Sequence, residues 1–324
     1  MESSFEIRTR TVFDHYQRDQ ENDPHIFDRL VSLIEEEYFG LAAGSFRGLD
    51  VLDAGCGSNA NASYAFLEKG AHSVVSLELG DDWMDCARKR LSRFGPRSQL
   101  VAGSVLDLPF DERRFDFVHC AGVLPHTSDP KKGFEELARV TRPGGSFFLT
   151  IMGTANGVIY RCINHLRELY QNDEQFRSAI ANLNGSTARQ AIDWLLNVKE
   201  NEEREHIPGE NKFFRSLFDD DLFVTIRDRF QAPTYHEFSF TEEQIRDWFV
   251  ECGFDNIRRI SRYTRNFHNL RRFLAPMYRH YDHPLARFWF GDGCIQMIGH
   301  KPCTQSASLV YESDINVRNL RDSP

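Results

Sequence analysis

The order of apolar and amphipathic segments predicts an α/β protein with a doubly wound, mostly parallel sheet, an antiparallel last strand and a helical insertion after the fifth strand. Three observations carry that prediction. Short apolar runs alternate with helical segments through the first half of the chain. The first of these runs ends in a glycine-rich turn. A chain of 324 residues with 41% hydrophobic residues is also long enough to bury a substantial core.

The elements follow in order. Residues 51–56 (VLDAGC) form an apolar run ending in glycines, and residues 61–69 are helical in composition. Next come a strand over 73–79, a helix over 81–94, strands over 99–105 and 115–121, a helix over 130–140 and a strand over 146–152. A sheet of this kind binds its ligand outside the carboxyl ends of its strands. From 153 to about 232 no strand is obvious, and residues 158–170 and 186–199 have helical periodicity. Thr241 and Gln244 have the spacing of a capping box, and Gly253 is placed to close the helix that they open. Residues 256–263 and 293–302 complete the sheet. The chain is accordingly divided into an amino-terminal helical cap (1–48), a core (49–152), the insertion as a substrate lid (153–236), the end of the core (237–302) and a polar, loosely held tail (303–324).

Composition excludes several classes. No run approaches the roughly 18–20 apolar residues of a membrane span, and the first thirty residues are too polar for a secretory signal. Seven scattered cysteines without a CxxC pair suggest neither a disulfide framework nor a zinc site, and His280 and His283 lack a third metal ligand. No metal is expected, and a reducing, cytoplasmic location fits. A net charge of −9 opposes nucleic-acid binding over the surface as a whole. Residues 255–302 nevertheless carry a local +6 interleaved with aromatics, which suits an anionic small molecule, a stacking surface or plain scaffolding.

The chemistry centres on VLDAGCGSNA, residues 51–60. Gly55 and Gly57 let the backbone turn tightly and approach a ligand, while the following helix offers amides to an anionic group. Read as GxGxxA, with Glu78 placed 21 residues beyond Gly57, the turn also satisfies a dinucleotide fingerprint. Asp53 favours a different ligand. A carboxylate there would repel a diphosphate and suits a cationic amino or sulfonium group.

With that acid, the segment resembles the first motif of the class I S-adenosylmethionine-dependent methyltransferases. The segments 77–91, 100–145 and 241–257 are similar to later motifs in the ubiquinone-biosynthesis-like, type 11 subgroup. The resemblance implies a Rossmann-like core and S-adenosylmethionine as cofactor, with Asp53, Gly55, Cys56 and Gly57 around its methionine moiety. Glu78 and Leu79 would hold the ribose and adenine, Ser104, Val105 and Leu106 would line the adenine slot, and the Ala121 backbone would face the sulfonium.

Two departures from the family pattern stand out. Asn59 replaces the third glycine, a change that tolerance of positive φ allows. Ser104 stands where the family usually has an acid that accepts from the adenine amino group, a contact that the serine hydroxyl or Asp107 could make.

His126 is the first candidate for a general base, because an ordinary histidine titrates near neutrality. His119 reads as a core residue, and His15 and Tyr16 lie where this family often folds a helix over the cofactor. The reading is methyl transfer to an O or N atom of a small or medium-sized metabolite. A nicotinamide-dependent oxidoreductase and a non-catalytic S-adenosylmethionine-binding partner subunit are the alternatives, and the oligomeric state is left open.

Overall fold

A computed structural model of the chain describes residues 6, 7, 9, 10, 13, 17, 24–80, 84–154, 157–181, 239–260 and 281–303. Seven strands form one sheet: β1 Asp50–Ala54, β2 Ser73–Glu78, β3 Ser98–Ala102, β4 Phe115–Ala121, β5 Thr141–Met152, β6 Asp255–Arg259 and β7 Cys294–His300. Their order is β3-β2-β1-β4-β5-β7-β6. The pairs among β1 to β5 are parallel, whereas β7 runs antiparallel to both β5 and β6, as the sequence predicts. Strand order reverses between β1 and β4, so the carboxyl ends of these two strands frame the crevice in which ligands of open α/β sheets bind.

Apolar side chains alternate between two buried clusters, one on each face. On β5, Phe147 enters the cluster that holds Leu52, Leu77, Val118 and Phe134, while Phe148 enters the cluster with Val51, Val74, Phe117 and Phe66. Both faces of the parallel strands are thereby removed from water, which explains why these strands read as continuous apolar runs rather than alternating ones. The helix α1 Pro24–Val31 packs against α2 Asn61–Glu68, which follows β1. Phe39 and Phe46, within the stretch assigned to the cap, are fully buried in the second cluster and belong to the core.

The helices α3 Met84–Leu91 and α4 Pro130–Val140 connect β2 to β3 and β4 to β5. Asp129 caps α4 by accepting from Lys132 N at 3.0 Å. In α7 Glu242–Glu251, Thr241 and Gln244 form the expected reciprocal capping box. Gly253 (φ 80°) follows its end, with its N–H on Val250 O at 2.9 Å. Strands β3 and β6 stop earlier than their apolar runs, and β5 begins five residues before its own, at Thr141.

After β5 come α5 Val158–Asn172 and α6 Glu174–Ala181. Thr154 N donates to Phe240 O at 3.0 Å and Phe240 N to Met152 O at 3.2 Å. The chain thus leaves and rejoins the sheet at one point, the carboxyl end of β5. The expected helix over 186–199 lies outside the described residues. So does the part of the basic, aromatic stretch from 261 to 280.

Gly145 sits where a Cβ would lie 2.8–3.1 Å from three backbone oxygens, those of Asp116, Arg142 and Phe115. Backbone yields little, so Gly145→Ala is expected to lower unfolding free energy by about 1–3 kcal/mol, the usual range for overpacking. Urea denaturation checks this, and an unchanged midpoint would contradict it.

Candidate functional site

The turn after β1 lies at the mouth of the β1/β4 crevice. Gly55 (φ 74°) and Gly57 (φ 67°) take the left-handed conformation, and a Cβ on Gly55 would meet Val123 at 2.2 Å. Both glycines are required by the backbone, as the sequence implies. Asn59, however, is not the residue that takes positive φ. Ala60 (φ 46°) does so, one residue later, immediately before α2. Asn59 is instead buried, with its Oδ1 accepting from Cys86 Sγ at 3.4 Å.

The amides of this turn are not open to an anion. Gly55 N and Cys56 N both donate to Leu77 O, at 2.8 and 3.0 Å. Gly57 N donates to Glu78 Oε2 at 2.8 Å and Ser58 N to Gln17 Oε1 at 2.8 Å. Four consecutive N–H groups of the turn are therefore satisfied by the protein itself, and in the helix that follows Ser63 N donates to Asp53 Oδ2.

Glu78 closes the turn from the end of β2. Its Oε1 also accepts from Leu79 N at 2.9 Å. Burial raises its carboxyl above the usual carboxylate range, the two amides pull it back, and Asp53 adds a smaller upward push. An ionised carboxylate accepts at about four positions, and these two amides occupy two of them.

Asp53 occupies a different place from the one expected. It is 2% exposed and lies under α2, on the face of the sheet that holds Val51. In register with it stand Ser76 on β2 and His119 on β4. Its Oδ1 lies 2.8 Å from His119 Nδ1, and its Oδ2 accepts from Ser63 N (3.0 Å) and Ser63 Oγ (2.6 Å). Ser76 Oγ donates in turn to Ser63 Oγ at 2.6 Å. The acid thus serves as a remote cap for the first turn of α2 and pins that helix to three strands. His119 packs in the core, as expected, stacked on Phe148 at 5.3 Å, but its partnership with Asp53 is not legible in the sequence.

The other candidates divide. Cys56 is buried, and burial pushes its thiol well up, with Glu78 and Asp53 adding to the effect, so it is chemically quiet. Val105 belongs to the core cluster, leaving only its backbone to line a slot. Leu79 and Leu106 are half-buried, and Ala121 is exposed at the end of β4. Ser104 Oγ donates to Glu6 Oε1 at 2.9 Å and accepts from Leu106 N at 3.2 Å. Asp107 is exposed, and its charge acts on Arg139. Among the described basic residues of the 255–302 stretch, Arg259 is held by Glu242, Asp292 O and the Tyr281 ring, and Lys301 by the carbonyls of Ala138 and Thr141. These two cations serve the fold.

The amino-terminal segment reaches the site. Thr9 Oγ1 donates to His126 O at 3.1 Å, and the Phe13 ring meets the His126 ring edge-on at 4.6 Å. Gln17 is buried against Ser58, whose Oγ donates to Gln17 O at 3.1 Å. His15 and Tyr16, the residues singled out in the sequence, lie outside the described residues. Among the described residues of this segment, Glu6, Thr9, Phe13 and Gln17 contact Ser104, His126 and Ser58, and nothing in their local sequence marks them.

Burial lowers His126 from the usual 6.5 to about 4. The unfolded chain then takes up a proton between about pH 6.5 and 4 that the folded chain refuses, so stability contributed by the neutral ring falls as pH drops through that window. Thermal melts at pH 7.5, 6.0 and 5.0 should show a shallower loss for His126→Gln than for the parent. Parallel losses would contradict the burial of this ring.

Comparison with known proteins adds the following. Residues 52–149, from β1 through β5, match the family described as Methyltransferase domain. The chain is 33% identical over 113 residues to a demethylmenaquinone methyltransferase of Clavibacter sepedonicus, covering 35% of this chain and 45% of that one. It is 28% identical over 120 residues to a ubiquinone biosynthesis O-methyltransferase of Coxiella burnetii, covering 37% and 50%. The matched region thus spans about half the length of these curated relatives. Among solved structures, a Burkholderia thailandensis 1,6-didemethyltoxoflavin-N1-methyltransferase is 16% identical with a TM-score of 0.48, covering 93% of this chain and 91% of that one. From β1 to β5, residues 52–149 are thus similar to a methyltransferase domain.

Proposed function

We propose that the chain transfers a methyl group from S-adenosylmethionine to an O or N atom of a small or medium-sized metabolite. The observation that carries this reading is the Gly57 amide held by the Glu78 carboxylate at 2.8 Å. A dinucleotide site leaves such amides free for pyrophosphate, whereas here a pyrophosphate would meet a carboxylate and a turn with its donors already used. Negative charge at this bend favours a sulfonium and an ammonium group. The two acceptor positions of Glu78 that the amides leave suit a ribose diol.

In this reading Asp53, Gly55, Cys56 and Gly57 shape the methionine end, with Asp53 acting as a positioning residue beneath the turn. Leu79, Ser104, Leu106 and the Val105 backbone line the adenine end, and Ala121 borders the transferred methyl. Transfer is an in-line displacement: the acceptor's lone pair forms the new bond to the methyl carbon as the carbon–sulfur bond breaks, leaving a neutral thioether. Alignment of acceptor and methyl at roughly 3 Å, with water excluded, supplies most of the acceleration. His126, with its low proton affinity, is a weak base, which favours an acceptor that sheds its proton readily. The insertion leaves at Thr154 and returns at Phe240, two residues at the carboxyl edge of β5, where a lid would cover the acceptor. A small, anionic substrate in a cytoplasmic setting completes the proposal.

Calorimetric titration should detect S-adenosylmethionine or S-adenosylhomocysteine binding and no binding of NAD or NADH. Tight dinucleotide binding without S-adenosylhomocysteine binding would sink the reading in favour of an oxidoreductase. Glu78→Ala is expected to weaken S-adenosylhomocysteine binding at least tenfold, about 1.4 kcal/mol. Asp53→Ala should instead act first on stability, lowering it by about 1–3 kcal/mol because buried His119 and Ser63 lose their acceptor. Equal melting temperatures for Asp53→Ala and the parent would refute its positioning role.

A further inference from the structure

We propose that the side-chain amide of Gln296 on β7 holds the methyl acceptor, its carbonyl accepting a hydrogen bond from a hydroxyl or amino group of that molecule. The proposal rests on the methyl-transfer reading above and deepens it, by naming a residue of the acceptor half of the site. Gln296 is 4% exposed, and its Oε1 is buried without a hydrogen-bond partner among the described residues. Such a group has given up its bond to water and gained none in return, which marks it for a use outside the fold. Its backbone is already employed in the sheet, pairing with Thr150 on β5 and accepting from Ile260 N at 2.8 Å.

Strand register places this amide beside the reacting centre. Phe148 on β5 stands between His119 on β4 and Ile298 on β7, and all three are buried. One step further toward the carboxyl ends of β4 and β5, on the same face, stand Ala121, Thr150 and Gln296. This second row opens from buried Gln296 through half-buried Thr150 to exposed Ala121. Two strand spacings, roughly 10 Å, separate Gln296 from Ala121 along it. That span suits a small molecule with its reacting atom at the transferred methyl and a hydrogen-bond donor at the amide.

The other buried side-chain atoms without a partner among the described residues, Asn61 Oδ1 and Arg142 Nε, lie elsewhere. Asn61 opens α2, and the Arg142 guanidinium is engaged by Asp50 and Asp116 near the amino ends of β1 and β4. A neutral amide takes no proton, so Gln296 orients the acceptor rather than activating it. An analogue lacking the donor would leave the carbonyl unpaired, which is how a site built around a hydrogen bond rejects it.

The test uses Gln296→Met, of similar shape without the polar group, in the full chain. A residue kept for the fold destabilises when replaced. Here the variant should instead melt about 2 °C or more above the parent, because an unpaired buried acceptor is removed. Its affinity for S-adenosylhomocysteine should stay within twofold of the parent's. With S-adenosylhomocysteine bound, ligand-observed NMR then compares phenol with toluene, probes of one shape that differ in the hydroxyl donor. Gln296→Met should move the preference toward toluene at least tenfold. A lower melting temperature, an unchanged preference, or a parent that takes up neither probe overturns the role of Gln296 while leaving the donor-binding reading standing. A parent that does not bind S-adenosylhomocysteine overturns both.

Discussion

A buried N–H without an acceptor costs roughly as much as a lost hydrogen bond, so a tight turn lined with amides must either bind an anion or be satisfied from within. In this chain it is satisfied from within. Leu77 O takes two of the amides, Glu78 a third and Gln17 a fourth. One of these acceptors is a carboxylate, so the donors that a pyrophosphate would need at this turn are already used. The rest of the site follows from the geometry that makes this possible: positive φ at Gly55 and Gly57, a β2 strand that ends on Glu78, and α2 held close by Asp53.

Asp53 shows how a motif acid can matter without touching a ligand. Ser76, Asp53 and His119 stand in register on three adjacent strands, and Ser63 joins them from α2. In a low-dielectric interior such a row is favourable only when every member is paired, and this one links the start of α2 to the sheet through both carboxylate oxygens. Glu78 carries the charge that faces the turn, and Asp53 fixes the frame in which Glu78 works.

Much of the fold was legible because its causes are local. Apolar runs bounded by glycine located the strands, Pro130 after Asp129 located a helix start, and the Thr241 and Gln244 pair located another. What escaped depends on contacts between distant parts of the chain. The partner of Asp53 lies 66 residues away on β4, the contacts of Gln17 cross 41 residues, and Glu6 meets Ser104 across 98. No spacing rule reports such pairs. Positive φ is expected at Asn59 on residue preference, yet it falls on Ala60, the residue directly before the first turn of α2.

The most direct test of this account is a crystal structure of the complex with S-adenosylhomocysteine at neutral pH. It should show Glu78 still accepting from Gly57 N while its remaining acceptor positions take the ribose hydroxyls. A carboxylate swung out of the turn, with the Gly57 and Ser58 amides donating to the ligand instead, would contradict it.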